Sequence, residues 1–271
     1  KSPPLVLFSS AITGSMGASV VATVFGFTVS GGPAGAFLAA AIGAEFGKAV
    51  SKETKVDIIV TPAVTLITGM LAAKIFGPPV GALMSGLGNL IMTATDMQPF
   101  LMGIIISVIV GLALTAPISS AALCIMLDLS GIAAGAATVG CCAQMVGFAV
   151  ISFRENGIGG LVAQGIGTSM LQVSNIIKNP WILVPPTLAG AVLGPISTCV
   201  FHMTNIAAGA GMGTSGLVGQ IGTFTSMGFS VRVLLLVLLL HIVLPAVLSL
   251  LFNKLLQKAG RIRLGDYQLD L

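Results

Sequence analysis

Two asparagines in corresponding places are the first candidates for contacting a ligand. Asn89 and Asn205 close two stretches that both begin with Gly-Pro, residues 77–89 and 194–205. An amide side chain donates and accepts hydrogen bonds, and paired interruptions of membrane helices mark the substrate site in many transporters. Either asparagine alone is better explained as a helix cap or an interhelical bridge, but the pair favours ligand binding.

Other polar side chains accompany these asparagines. His202 and Thr204 lie in the second stretch, Thr93 follows the first, and Thr61 begins the Thr-Pro step of an apolar segment. A lone histidine at a helix end is more often structural, although it can titrate near physiological pH. Neutral hydrogen-bonding groups of this kind suit a polyhydroxylated or zwitterionic solute better than a bare ion.

Glu45 is the remaining candidate for a solute site. It lies inside an apolar segment, where an ionised carboxylate is costly. Pairing with Lys48, about one helical turn later, would explain it structurally. The alternative is a carboxylate that couples protons or substrate to transport.

The sequence gives little indication of catalysis, metal binding or cofactor binding. No nucleophile–base pair, metal-ligand cluster or cofactor fingerprint stands out, so we expect no catalytic residues, no metal, no cofactor and no enzyme acting alone. Residues 211–216, GMGTSG, lack the lysine of a phosphate-binding loop and favour close helix packing or a hinge. The cysteines are expected to be small buried hydrophobic residues: Cys124, Cys141, Cys142 and Cys199.

The elements that would position these residues are membrane helices. Hydrophobic residues make up 55% of the chain and charged residues 7%, against about 25% in an ordinary soluble domain. Residues 231–240 and 243–252 together are long enough to cross ~30 Å of hydrocarbon. The net charge of +4 comes from basic residues at segment ends, which indicates contact with a lipid bilayer rather than with nucleic acid.

Apolar runs broken by charge, proline or glycine predict an all-α, multi-pass membrane protein with about ten segments. The first is expected to be a spanning helix rather than a signal peptide. The segments lie near residues 5–30, 33–50, 57–76, 79–95, 100–127, 130–153, 157–174, 180–200, 203–228 and 230–253.

Similar motifs recur at an offset of about 124 residues, which predicts two repeats. We expect residues 1–128 and 129–253 to be five-segment repeats in inverted orientation and residues 254–271 to be a cytoplasmic basic tail. The glycine-rich fourth and ninth segments are alternatively re-entrant hairpins. With both termini inside, only three cations are expected outside, in agreement with the positive-inside rule: Lys74, Lys178 and Arg232.

Five stretches of the sequence resemble a known family. They resemble the membrane (EIIC) component of phosphotransferase-system sugar permeases, and in particular a divergent branch that includes perfringolysin-regulator-like proteins. The likeness covers most of the chain and is carried by residues 60–69, 75–80, 99–107, 116–122 and 213–220. These motifs are structural in character, so they carry over no sugar-binding or catalytic residue.

The resemblance implies a carrier in the inner (cytoplasmic) membrane that imports a small polar solute such as a sugar. It also implies a homodimer and a separate cytosolic EIIB protein that phosphorylates the solute. Sugar permeases of this system use acidic and histidine groups at the sugar, and this chain has few of either. The alternative function is a membrane sensor that uses the same ligand-binding fold to control gene expression.

Overall fold

Helices dominate the computed structural model, which describes residues 22–24, 27–29, 32–53, 56–116 and 119–269. The chain divides into two compact units, residues 1–87 and 88–271. Four helical stretches of the described part are long and apolar enough to cross a membrane: Asp57–Met97, Gly131–Ile151, Pro180–Val200 and Val231–Lys258. The expectation of a helical membrane protein is confirmed, whereas the ten segments and the inverted repeat are not.

The first unit contains a short hairpin followed by helices. Strands β1 (Ala22–Val24) and β2 (Phe27–Val29) pair antiparallel, as their β-branched and aromatic residues favour. The predicted first spanning helix, near residues 5–30, is therefore extended where it is described, and the rest of it lies outside the described residues. Helix α1 (Gly32–Val50) follows the hairpin.

Helix α2 (Asp57–Met97) is 41 residues long and runs from the first unit into the second. It continues through Pro78 and Pro79, where the sequence predicted a break between two segments. Proline removes a backbone donor, but its φ is fixed near the helical value, so the chain need not leave the helical region. The predicted third and fourth segments are one helix, and residues 77–89 do not interrupt it.

Among the residues described there, the second unit contains the end of α2 and ten further helices, joined by short 3₁₀ and π turns. The helices are α3 (Pro99–Thr115), α4 (Ser120–Met126), α5 (Gly131–Ile151), α6 (Phe153–Val162), α7 (Val173–Lys178), α8 (Val184–Pro195), α9 (Ala207–Ala210), α10 (Val218–Met227), α11 (Val231–Val237) and α12 (Leu244–Lys258). The 3₁₀ turns are Ser169–Gln172, Pro180–Leu183 and Ser215–Leu217, and the π turns are Ala163–Gly167, Ile196–Val200 and Leu238–Val243.

Helix α5 is the centre of the second unit. Nearly all of its residues are buried, and α3, α8 and α12 pack around it. Its many glycine and alanine residues allow this, because small side chains let helix backbones approach closely. Gly140 is the clearest case, since a Cβ there would overlap the backbone of Ser107 on α3.

Residues 157–178, which we call the tail-side hairpin, enter and leave the bundle at the same end. Asn156 precedes them, and its Nδ2 donates to the backbone oxygen of Tyr267 at 2.8 Å. Asn179 follows them, and its Nδ2 donates to Asp266 Oδ2 at 2.8 Å. Both ends of the hairpin, which form its base, therefore contact residues 259–269, which we call the C-terminal segment. The two ends of the predicted seventh segment thus lie at the same end of the bundle. Lys178, predicted outside, lies on the same side as the tail.

Residues 205–227, which we call the far-side hairpin, enter from the opposite end. Asn205 exchanges two backbone hydrogen bonds with Gly131, the first residue of α5. At the other base, Ser226 Oγ lies 2.8 Å from Thr204 Oγ1. Both ends of residues 205–227 therefore lie at one end of the bundle, and re-entry of the predicted ninth segment stays a prediction.

The C-terminal segment is packed against the protein rather than extended from it. Helix α12 continues to Lys258, so the predicted tail boundary at residue 254 falls inside a helix. Tyr267 is fully buried, and its hydroxyl donates to Asn253 Oδ1 at 2.9 Å. Burial, with the carboxylates of Glu155 and Asp266 nearby, raises the pKa of the Tyr267 phenol above its ordinary value.

Candidate functional site at the meeting of two hairpins

The tips of the two hairpins meet in the interior of the second unit. Thr214 Oγ1, in the far-side hairpin, donates to the backbone oxygen of Gly165 in the tail-side hairpin at 2.5 Å. The neighbouring Gly213 lies directly against Cys141, the central residue of the 21-residue helix α5. That position is about 15 Å along the helix from either end. The contact therefore lies near mid-depth of the helix bundle.

The far-side tip owes its shape to left-handed backbone. Gly213 and Gly216 have φ of 54° and 53°, and Leu217 has φ of 59°. Glycine adopts such values at little cost, whereas leucine does so only under constraint. The GMGTSG run thus reverses the chain between α9 and α10 and packs closely against α5 at Gly213, whereas its role as a hinge stays a prediction.

A chain of neutral polar side chains extends from the tail-side tip. Ser169 donates to Thr115 Oγ1 at 2.9 Å, and the Thr115 hydroxyl donates to Gln144 Oε1 at 3.3 Å. Gln144 Nε2 then donates to Thr187 Oγ1 at 2.9 Å. These bonds connect the hairpin to α3, α5 and α8, so a displacement of the tip requires polar groups to change partners.

A second buried polar group lies beside α5. Gln220 Nε2 lies 3.3 Å from His241 Nδ1 and 3.5 Å from Cys142 Sγ. Gln220 Oε1 is buried and has no hydrogen-bond partner among the described residues, an arrangement that is costly in a closed interior. His241 lies in the π turn Leu238–Val243, a type of helix irregularity that is frequent at functional sites.

The arrangement offers hydrogen-bond donors and acceptors but few ionisable groups. Within the described ranges, no three His, Cys, Asp or Glu residues are close enough to hold a metal ion. Hydroxyl and amide groups can exchange their mutual bonds for bonds to a solute with several hydroxyl groups. Such groups suit a neutral polar solute.

Asn205, predicted as a ligand contact, uses its side chain inside the protein. Its Nδ2 lies 2.6 Å from Thr138 Oγ1, 3.0 Å from the Gly219 oxygen and 3.3 Å from Thr223 Oγ1. Its Oδ1 accepts from the Ile206 backbone N–H at 2.7 Å. Asn205 thus bridges α5 and α10, which was the structural explanation offered for either asparagine alone.

The other predicted site residues are dispersed. Asn89 and Thr93 are exposed one turn apart on α2, His202 is exposed, and Thr204 is half-buried beside Ser226. The structure does not join Asn89 to Asn205 by any hydrogen bond among the residues described.

Glu45 and Thr61 belong to the first unit. Glu45 is exposed on α1, whereas Thr61 is buried on α2 and donates to Asp57 Oδ1 at 2.5 Å. Their roles as solute contacts stay predictions.

The most buried polar residues of the site were not among those predictions. His241 lies in the apolar run LLLHIVLP, and a lone ionisable residue inside a membrane segment is by default a functional candidate. That signal was sufficient to single it out. Thr115, Ser169 and Thr187 carry no comparable signal, because isolated hydroxyl residues are ordinary in apolar segments.

The fold and the site define a class of protein. Multiple apolar helices around a buried central helix, with two broken elements meeting in the interior, are the architecture of a multi-pass membrane transporter. The family described as "Phosphotransferase system, EIIC" matches residues 1–269, and the chain belongs to that family. The family implies a membrane transporter that acts with EIIB partners. No curated protein and no solved structure matches the chain.

Proposed function

We propose that this protein is an EIIC-type carrier that imports a small polar solute, such as a sugar, by alternating access. The observation that carries the proposal is the contact between Thr214 and Gly165, where hairpins from opposite ends of the bundle close on each other. Helices broken at mid-depth place backbone and side-chain polar groups where a solute can reach them.

The solute would bind between the hairpin tips. Thr214, Gln144 and the unpaired oxygen of Gln220 would supply its hydrogen bonds, with His241 beside them. In the closed arrangement Thr214 bonds to Gly165 and Gln144 bonds to Thr187, so the solute would replace those bonds, whereas the Gln220 oxygen would gain one. Release of one hairpin at a time would open the site to one side of the membrane.

We further propose that the end of the bundle bearing the C-terminal segment is cytoplasmic. In the second unit every lysine and arginine except Arg232 belongs to that end: Arg154, Lys178, Lys254, Lys258, Arg261 and Arg263. Cytoplasmic loops of membrane proteins carry such an excess of cations. A cytosolic EIIB partner would receive the imported solute on this side, and the proposal includes a homodimer in the inner membrane, as expected from the resemblance.

The test is solute flux in proteoliposomes with Thr214→Val. We expect this variant to lose transport about tenfold or more, because valine cannot donate to Gly165 or to a solute hydroxyl. Thr225→Val is the matched control, since Thr225 is exposed in the same hairpin and bonds only to its own helix. Equal flux from both variants would show that the hairpin contact is not the site.

The same assay separates the carrier from the sensor named above. A carrier produces net flux of a solute that also raises the melting temperature of the purified protein. A sensor is stabilised by its ligand without producing flux. Asn89→Ala and His202→Ala, assayed in parallel, test the predicted contacts that lie outside the hairpin tips.

A further inference from the structure

We propose that the protein carries a binding site for the phosphodiester headgroup of an anionic phospholipid where the C-terminal segment meets the base of the tail-side hairpin. The site is a concave surface of about 380 Å³ lined by Lys178, Trp181, Arg261, Arg263, Asn179 and Asp266. This inference goes beyond the proposed transport and does not depend on it.

The charge of this surface suits an anion. Lys178, Arg261 and Arg263 contribute three cations, whereas Asp266 is the one carboxylate in the lining. Asp266 Oδ2 already accepts from Asn179 Nδ2 and from the Arg263 backbone N–H, each at 2.8 Å. Its charge is thus directed towards the protein, and the cationic groups remain available at the surface. Basic pockets on the cytoplasmic side of membrane proteins bind anionic headgroups.

The apolar residues around this surface favour a lipid over a soluble anion. Ile177 and Leu264 are each 77% exposed, and they adjoin Lys178 and Arg263 in sequence. Trp181 is 42% exposed, and the Arg261 guanidinium lies 4.9 Å from the centre of its ring. Tryptophan is enriched at the membrane–water interface, where an apolar body meets polar headgroups. A soluble phosphate would leave Ile177 and Leu264 in water, whereas acyl chains would cover them.

A bound headgroup would hold two parts of the chain together. Lys178 and Trp181 belong to the base of the tail-side hairpin and the turn after it, whereas Arg261 and Arg263 belong to the C-terminal segment. An anion between them offsets the repulsion of cations that docking brings together. Anionic lipid would therefore strengthen docking of the C-terminal segment.

Trp181 allows a direct test, because it is the only tryptophan of the chain. The full-length protein is reconstituted in phosphatidylcholine containing brominated phosphatidylglycerol or, at equal content, brominated phosphatidylcholine, and Trp181 fluorescence is recorded. We expect stronger quenching by the brominated phosphatidylglycerol. Equal quenching by the two lipids would overturn the proposal, and this comparison needs no variant.

Variants then identify the groups responsible. In R261Q/R263Q the preference for phosphatidylglycerol should fall about fivefold for each charge removed. The control K254Q/K258Q removes two cations from α12 on the same side, outside the concave surface, and should keep most of the preference. An equal loss in both variants would indicate general surface attraction and overturn the site.

Soluble phosphates test whether the surface binds a lipid headgroup or a free phosphate ester. Inorganic phosphate and glycerol 3-phosphate are added to the sample that contains brominated phosphatidylglycerol, with sodium chloride at equal ionic strength as the reference. Quenching that matches the sodium chloride reference supports the lipid headgroup. Relief of quenching by either phosphate beyond that reference would assign the surface to a soluble phosphate ester and overturn the lipid assignment.

Discussion

The two hairpins of the second unit reach the same interior contact, yet different parts of the chain hold their bases. The far-side hairpin is fixed to the central helix α5 through the backbone and side chain of Asn205. The tail-side hairpin is fixed to the C-terminal segment, through bonds such as that from Gln172 Nε2 to the Tyr267 oxygen at 3.0 Å. Bonds to a segment outside the helix bundle can break in a local opening while the bundle stays folded. We therefore expect the tail-side hairpin to be released more readily than the far-side hairpin.

The largest effect is expected from breaking the far-side base. Asn205→Ala leaves buried groups such as Thr138 Oγ1 without this partner, which should cost about 2–3 kcal/mol of the free energy of unfolding. Thermal unfolding in detergent measures the loss. Asn89→Ala is the control, because Asn89 is exposed and should change stability by less than about 0.5 kcal/mol. Equal melting temperatures for the two variants would show that Asn205 does not hold the far-side hairpin in place.

Removal of residues 259–271 should release only the tail-side hairpin. Gln172 and Asn175 would lose bonds to the backbone oxygens of Tyr267 and Gln268. Amide hydrogens of residues 157–178 should then exchange about 10–100-fold faster, since each lost bond weakens local protection by about 1 kcal/mol. Hydrogen exchange read by mass spectrometry also covers residues 205–227, which are the internal control. Faster exchange in both hairpins would contradict the conclusion that different parts of the chain hold the two hairpins.

Tyr267→Phe removes one hydrogen bond of the C-terminal segment. Phenylalanine keeps the edge-on packing against Phe148 but loses the hydrogen bond to Asn253. We expect a loss of about 1 kcal/mol in the stability of docking, seen as faster proteolysis of the C-terminal segment. Proteolysis of the far-side hairpin should stay unchanged. A wild-type cleavage rate at the C-terminal segment would mean that the hydroxyl does not hold it.

The smallest effect concerns pH. The pKa of the Tyr267 phenol is raised in the docked state, so docking favours the neutral form. The contribution of the buried phenol to the stability of docking is fully present below its ordinary pKa of about 10. This contribution is lost as pH rises through the raised pKa. Tyr267 is the only tyrosine, so ultraviolet absorbance of tyrosinate reports its ionisation directly. Ionisation at the ordinary pKa while the C-terminal segment remains docked would contradict its burial.

Sequence patterns predicted the membrane class, the family and the re-entrant option for residues 203–228. They did not predict that residues 157–174 turn back, because an apolar segment of that length reads as a crossing whether its ends lie on one side or on two. The patterns also treated Asn89 and Asn205 as corresponding ligand contacts. Both follow Gly-Pro, but Pro78 and Pro79 lie within a continuous helix, whereas Pro195 directly precedes a π turn.

Composition alone is enough to place this chain in a membrane, since 7% charged residues cannot cover the surface of a soluble protein of 271 residues. That conclusion depends on sums over the chain, which contacts do not alter. The meeting of Thr214 with Gly165, the bridging by Asn205 and the burial of Tyr267 depend on which segments become neighbours. Such pairings join residues that are far apart in the sequence, 14 positions for Asn205 with Gly219 and 95 positions for Gln172 with Tyr267. Only tertiary packing decides them, because a polar side chain in an apolar run bonds to whichever partner the fold brings within reach.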